Sequence, residues 1–264
     1  MRDLLEAVAA GELSPAAAEA ELTGYATDDA GRFDAARTTR RGIPEAILAD
    51  GKTPEQVRSL TQTALETEGR ALLTRLEPDA ADSLVAFLED DVSVGVDEGQ
   101  DTSLTIERRG TALLVYTDAY DRPSLEATVA IVTAGTVDGP VADEAHLVCL
   151  DAGCTIDRIE DVGVASLVRV VDQLERLREA DVVIVAAGRE GALPTVVAGL
   201  VDAPVIGVPV SSGYGYGGDG EAALLGMLQS CTVLSVVNVD AGFVAGAQAT
   251  LVAQAIDTAR REKK

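Results

Sequence analysis

From about residue 126 onward, short unbroken apolar runs alternate with segments of helical period. "ATVAIVTAG", "DVVIVAAG", "PVIGVPV" and "VLSVVNV" are rich in valine and isoleucine, and several run straight into glycine. Continuous runs of that length predict strands buried on both faces, because a half-exposed strand would alternate apolar with polar. Between them, "GVASLVRVVDQLERLREA" places Val164, Leu167, Val168, Val171, Leu174 and Leu177 at helical spacing, which predicts one amphipathic helix. The pattern is that of a doubly wound α/β sheet, whose ligands bind beyond the carboxyl ends of the strands.

Residues 1–125 read differently, as a smaller α+β region with helix signals separated by loops. "MRDLLEAVAAGELS" is an amphipathic helix. "SPAAAEAEL" offers Ser14 as N-cap with Pro15 behind it, and "TPEQV" repeats the device with Thr53, Pro54 and a Gln56 placed for a capping box. A further helix follows "EPDAADSLVAFL". "TSLTIERRGTALLVY" alternates, which predicts one or two strands. The boundary falls near 125, so the domains expected are 1–125 and 126–264.

Charge narrows the choice of partners. Forty-four acidic against 21 basic residues leave a formal charge of -23, which argues against nucleic acid and anionic membranes. Lysine stands only at Lys52, Lys263 and Lys264, an acidic and lysine-poor balance of the kind salt-adapted proteins carry. Three cysteines without a CxxC pair, no cleavable leader pattern and no apolar run of membrane length lead to the expectation of a reduced, cytoplasmic, soluble chain.

Candidate chemistry gathers at the predicted strand ends. Three loops, "TAGTVDGPVADEA", "AAGREGALP" and "PVSSGYGYGGDGEAALL", belong to one rim and offer backbone N–H groups suited to phosphate or carboxylate. One glycine loop would mean little; three on one rim mean more. Cys231 follows an apolar helix, where a small thiol commonly fills space and a helix C-terminus disfavours a thiolate. His146, the single histidine, lies on a helix and reads as a structural residue. Cys149 and Cys154, in "CLDAGC", fit no common zinc spacing and read as structural.

Residues 126–256 resemble the PurE-type domain of aminoimidazole ribonucleotide carboxylases, which implies a flavodoxin/Rossmann-like three-layer fold. "AAGREGALPTVVAGLVDAPVIGVPV", then a loop, then "EAALLGMLQ", carry the resemblance in order. The PurE pattern has its catalytic histidine just before the Leu-Pro pair, where this chain has Ala192, and this disfavours imidazole nucleotide carboxylation. A resemblance spanning nearly the whole chain is to the lactate racemase maturation protein family LarB. It rests on "RRGIPEAILADGKTPEQV", "TAGTVDGPVADEA", "DVGVASLVRV", "GREGALPTVVAGLV", "GYGYGGDGEAALLGMLQSC" and "VVNVDAGFVAGAQA".

What that resemblance implies is a carboxylase and hydrolase of nickel-pincer cofactor synthesis. It would convert nicotinic acid adenine dinucleotide into pyridinium-3,5-biscarboxylic acid mononucleotide and AMP. The family's nucleophilic cysteine falls on Cys231 and a functional carboxylate on Glu190, expected to act as a base. Asp138 and Asp240 are expected to steer metal or water, with Asp138 as the metal ligand; read from the residues alone, Asp138 serves equally as a cap on the helix after the first strand and the others as ordinary turn residues. Gly135, Thr136, Gly188, Ser211, Ser212 and Gly213 are expected to hold substrate. A divalent metal, magnesium, and CO2 or bicarbonate are the expected co-reactants, with no tightly bound organic cofactor. A homo-oligomer is expected, an octamer by resemblance, with the small-residue helix "AGFVAGAQATLVAQA" packing on a neighbour. The family pattern carries methionine at Arg189, histidine at Val168 and a histidine near "RFDAARTTRRG", all replaced here. The competing readings are a PurE-like mutase and a non-catalytic nucleotide-binding subunit.

Overall fold

The computed structural model describes residues 2–11, 13–28, 30–90, 103–213 and 215–263, and the chain divides into two units, Met1–Asp121 and Arg122–Lys264. Thr102, which opens the predicted strand pair, and Tyr214, in the glycine-rich loop, lie outside the described residues.

The N-terminal unit begins with helices α1 (Arg2–Ala10) and α2 (Pro15–Thr23), a hairpin of β1 (Ala26–Asp28) and β2 (Gly31–Phe33), and the short α3 (Arg37–Arg41). There follow β3 (Ala46–Leu48), α4 (Pro54–Glu68), β4 (Arg70–Thr74), α5 (Pro78–Asp90), β5 (Leu104–Arg109) and β6 (Ala112–Thr117). The cap signals act as their chemistry dictates. Ser14 Oγ accepts the Ala17 N–H at 3.0 Å, and Thr53 and Gln56 form the reciprocal box in which each side chain accepts the other's N–H. The alternating segment becomes the antiparallel pair β5 and β6, in a mixed sheet of order β3-β4-β6-β5 with β3 parallel to β4.

A charged cluster is buried in this unit. The Arg70 guanidinium lies 3.2 Å from Glu68, donates to Thr38 Oγ1 at 2.7 Å, bonds Tyr120 Oη and stacks over the Tyr120 ring. Arg70 and Glu68 side chains are only 7% and 9% exposed, so the ion pair between them is a buried one.

The C-terminal unit runs β7 (Thr128–Thr133), a 3-10 turn (Thr136–Asp138), α6 (Gly139–Asp151) and β8 (Thr155–Ile159). After a second 3-10 turn come α7 (Leu167–Val171), α8 (Leu174–Glu179), β9 (Val182–Ala187), α9 (Ala192–Ala198) and β10 (Val205–Pro209). The chain ends with α10 (Glu221–Leu228), β11 (Ser235–Val236) and α11 (Gly242–Arg261). The five strands are all parallel, in the order β11-β10-β9-β7-β8.

Helices cover both faces, which explains the unbroken apolar runs. Val129, Ile131 and Ile184 pack on α6 and α11, while Ala130, Val132 and Val183 pack on the opposite helix layer. Each fully buried valine or isoleucine contributes about 1.5–3 kcal/mol. The architecture is the PurE-like, flavodoxin-like three-layer fold that the periodicity and the resemblance led us to expect.

Three details differ from the sequence reading. The single helix expected over 163–180 is two short ones; Leu177 is buried, but Leu167, Val168 and Val171 are exposed. An additional edge strand, β8, is too charged to read as an apolar run, its Asp157 and Arg158 pairing with Arg176 and Asp143. The small-residue face of α11 packs inside its own chain: Ala245, Ala249 and Ala253 are fully buried, and a Cβ on Gly246 would stand 2.8 Å from Ala145 O of α6. That face is therefore spent on α6 and not on a neighbouring molecule.

Candidate active site

The strand order turns back on itself between β7 and β9, since the chain passes from β7 outward to β8 and then to β9 on the other side. A doubly wound sheet opens a crevice at that point, because the loops leaving the two strands diverge. A pocket of about 340 Å³ opens there. Ala134, Gly135, Val137 and Asp138 line it after β7, and Gly163 and Val164 after β8. Gly188, Arg189 and Glu190 close it after β9, Ser212 and Gly213 after β10. Two of the loops meet backbone to backbone: a Cβ on Gly213 would stand 2.8 Å from Arg189 N, so only glycine allows the approach.

Asp138 is nearly inaccessible, at 2% exposure, and its Oδ2 accepts the Gly135 N–H at 2.8 Å. Burial raises its pKa above the ordinary 3.8, against the opposing pull of backbone hydrogen bonds at Gly135 and Ala134. A raised carboxyl pKa means that the fold favours the protonated form. That contribution to stability is fully present below the unfolded value and is lost as pH rises through the raised one. Asp138→Asn keeps an oxygen for the Gly135 N–H and removes the buried charge. It is expected to stabilise the protein relative to wild type at pH 7 and to lose that advantage by about pH 4, read as urea midpoints at the two values. Asp138→Ala, which leaves the Gly135 N–H without this acceptor, is expected to cost about 1–3 kcal/mol.

Glu190 is exposed at the pocket mouth, one residue before Gly191. Gly191 has φ +65°, and a Cβ there would stand 2.5 Å from Ala223 O of α10. A Gly191→Ala variant is expected to lose about 2–4 kcal/mol in denaturant unfolding, from left-handed backbone strain plus the clash.

The expected site residues are thus partly assembled. Gly135, Asp138, Gly188, Glu190, Ser212 and Gly213 share one pocket. Thr136 is exposed beside it, and Asp240 acts on the neighbouring loop, where its Oδ1 accepts the Ser211 N–H at 2.9 Å from a backbone at φ +54°. Neither Thr136, Ser211 nor Asp240 lines the pocket. Gly163 and Val164 also line the pocket, from the loop after β8; they lie in the motif "DVGVASLVRV", but Val164 read as one position of an amphipathic helix and neither was assigned to the site.

Cys231 is exposed and is not among the pocket's lining residues. Helix α10 packs along the start of α9, with Ala223 against Gly191 and Gly226 so close to Glu190 that an added Cβ would stand 2.3 Å from its carbonyl oxygen, while Met227 reaches β10, where a Cβ on Gly207 would meet its Sδ at 3.0 Å. Cys231 comes four residues before Ser235, which pairs with Ile206 near the start of β10. His146 is buried on α6, and Cys149 and Cys154 are buried, Cys149 Sγ donating to Gly246 O at 3.7 Å. Among the described residues no group of three or more His, Cys, Asp or Glu side chains is placed to hold a metal ion. Asp138 and Glu190 alone fall short of the six-oxygen set magnesium requires, so such an ion would take most of its ligands from outside the chain. No helix among the described residues is long and apolar enough to cross a membrane.

A parallel sheet with a glycine-lined, carboxylate-bearing crevice at its switch point places the C-terminal unit in the doubly wound, flavodoxin-like class of ligand-binding folds. Residues 128–263 match the AIR carboxylase family, and residues 25–93 match the LarB/PurE-like N-terminal domain. The uncharacterized protein MJ0165 of Methanocaldococcus jannaschii is 36% identical over 260 residues, covering 96% of this chain and 97% of its own. The chain belongs to the LarB family, with a PurE-like domain, and that membership supports an enzyme of carboxylase type.

Proposed function

We propose that the protein carboxylates the pyridinium ring of nicotinic acid adenine dinucleotide at C5 and hydrolyses its phosphoanhydride, giving pyridinium-3,5-biscarboxylic acid mononucleotide and AMP. The observation that supports this most is the shared pocket of Glu190, Asp138 and glycine amides, in a chain that matches the family over both its units.

The chemistry calls for a thiolate. A pyridinium ring is electron-poor and does not attack CO2. Addition of the Cys231 thiolate at C4 forms a C–S bond and turns the ring into a dihydropyridine whose C5 is an enamine carbon. That carbon attacks CO2, forming the new C–C bond. Glu190 removes the C5 proton, the C4–S electrons leave with sulfur, and the ring regains aromaticity. Water then attacks the phosphoanhydride and AMP departs, with Asp138 steering the water and the amides of Gly188, Ser212 and Gly213 holding phosphate oxygens. CO2 enters as such or from bicarbonate.

Because Cys231 is not among the residues that line its own pocket, the reading includes a homo-oligomer in which a second copy brings the thiol. Exposed Leu225, Leu228 and Val233 flank the cysteine in sequence, and exposed Val137, Leu167 and Val168 lie on the loops and helix around the pocket. Two apolar surfaces of this kind supply a contact between chains whose net charge would otherwise keep them apart.

Mass spectrometry of the full chain incubated with nicotinic acid adenine dinucleotide, bicarbonate and magnesium tests the reaction. AMP together with a dicarboxylated pyridinium mononucleotide is the expected result. AMP alone would reduce the activity to a hydrolase, and neither product at any salt concentration would sink the proposal.

A further inference from the structure

The N-terminal unit has a cavity of its own, of about 110 Å³, between the starts of α4 and α5. Lys52, Arg58 and Arg75 all line it, against Asp50 and Glu77. Three cations in one small concavity stand out in a chain with 44 acidic and 21 basic residues, the more so because Lys52 is its one lysine before the last two residues. Elsewhere in this unit arginines are neutralised in pairs, such as Arg37 with Glu45 and Arg108 with Asp82. Lys52 and Arg58 are in no ion pair among the described residues.

Their positions are held by other means. Lys52 Nζ gives one of its three donors to Leu48 O at 2.8 Å, and the Arg58 guanidinium lies over the Phe87 ring at 4.9 Å. Arg75 is built on a left-handed backbone, φ 59°, that arginine rarely adopts. Pro54, at the first position of α4, and Ala80, in the first turn of α5, also line the cavity, so both helices turn their positive ends towards it. Three cationic side chains line the cavity against two acidic ones and the helix ends add to the positive side, while Glu55 of α4, which acts electrostatically on Arg58, offsets part of it.

We propose that this cavity binds a phosphate-type oxyanion, either free phosphate or the phosphate of a nucleotide. Its volume is several times the roughly 10–15 Å³ that one water needs, so it has room for a single phosphoryl group but not for a nucleoside, which would project outward. Lysine and arginine provide the charge-assisted donors such a group requires. Binding weakens as salt rises, since Lys52 and Arg75 are exposed.

Hydrogen-exchange mass spectrometry on the full chain reads the site locally, in low-salt buffer, with inorganic phosphate in one arm and AMP in the other. Phosphate is expected to slow exchange saturably in peptides spanning 49–58 and 75–84, with the midpoint raised at least about tenfold in Lys52→Ala/Arg75→Ala. Lys52→Arg is expected to keep the midpoint within about threefold, which separates lost charge from lost fold. Protection by AMP that disappears in the same double variant makes a nucleotide phosphate the ligand; protection by inorganic phosphate alone makes it the free ion. No saturable protection of these peptides in either arm, or equal protection of wild type and double variant, would overturn the site. Neither outcome depends on the carboxylase reading.

Discussion

Replacing Cys231 by alanine is expected to lower formation of the dicarboxylated product by at least about a thousandfold, while shifting the unfolding free energy by less than about 0.5 kcal/mol. The two halves of that expectation have different causes. The side chain is exposed, so truncation opens no cavity and orphans no buried group. In the proposed reaction, however, C5 becomes nucleophilic only through the thiolate adduct, so its loss is expected to stop carboxylation. Intact-protein mass spectrometry during turnover adds a second readout, because in the proposed reaction the wild type is expected to carry a covalent ring adduct that the variant lacks. Retention of more than about a tenth of the activity would remove Cys231 from the nucleophile's role.

The same variant decides whose pocket the thiol serves. Cys231→Ala and Glu190→Gln chains, each nearly inactive alone, are expected to regain activity when unfolded together and reassembled. With equal mixing, half the pockets keep Glu190 and half the neighbours of those keep the thiol, so roughly a quarter of the wild-type sites return. Persistent inactivity of the mixture would place nucleophile and base in one chain and require the segment after α10 to move towards the rim.

A comparably large effect, on stability instead of turnover, is expected for Arg70→Met. Removing the guanidinium takes from the buried Glu68 carboxylate, which also accepts from Thr38 Oγ1, its ion-pair partner Arg70, and the expected cost is about 3–5 kcal/mol in urea unfolding of the full chain. Glu68→Leu added to Arg70→Met is expected to restore most of that loss, because an apolar pair of similar volume has no desolvated charge to support. A single variant costing under about 1 kcal/mol would mean that water reaches the pair.

The contrast between these two residues shows what was legible in the sequence. Cys231 was marked by its motif, and its chemistry follows from residue type once a pyridinium substrate is in view. Arg70 carried no signal, because a single arginine before an apolar run looks like any surface residue until the hairpin of β5 and β6 carries the chain on to Tyr120 and folds it back over Arg70. Likewise Asp138 read equally well as a cap and as a ligand. In the structure it caps Gly135 and lines the pocket at once.

Local information determined the local structure. The Ser14 and Thr53 caps, the β5–β6 pair and the buried strands β7, β9 and β10 follow from hydrogen bonds and periodicities set by neighbours in the chain, so reading along the sequence recovers them. What only the tertiary structure decided was which residues meet. Strand β8 exists because the open edge of β7 accepts it despite its charges. The small-residue face of α11 is filled by α6, and the segment 163–180 breaks in two where it wraps the sheet. That Glu190 lines the pocket and Cys231 does not has the same origin: α10 packs its Gly226 against Glu190 O and then runs on before a parallel β11 can begin, and that direction is a property of the sheet that no stretch of sequence contains.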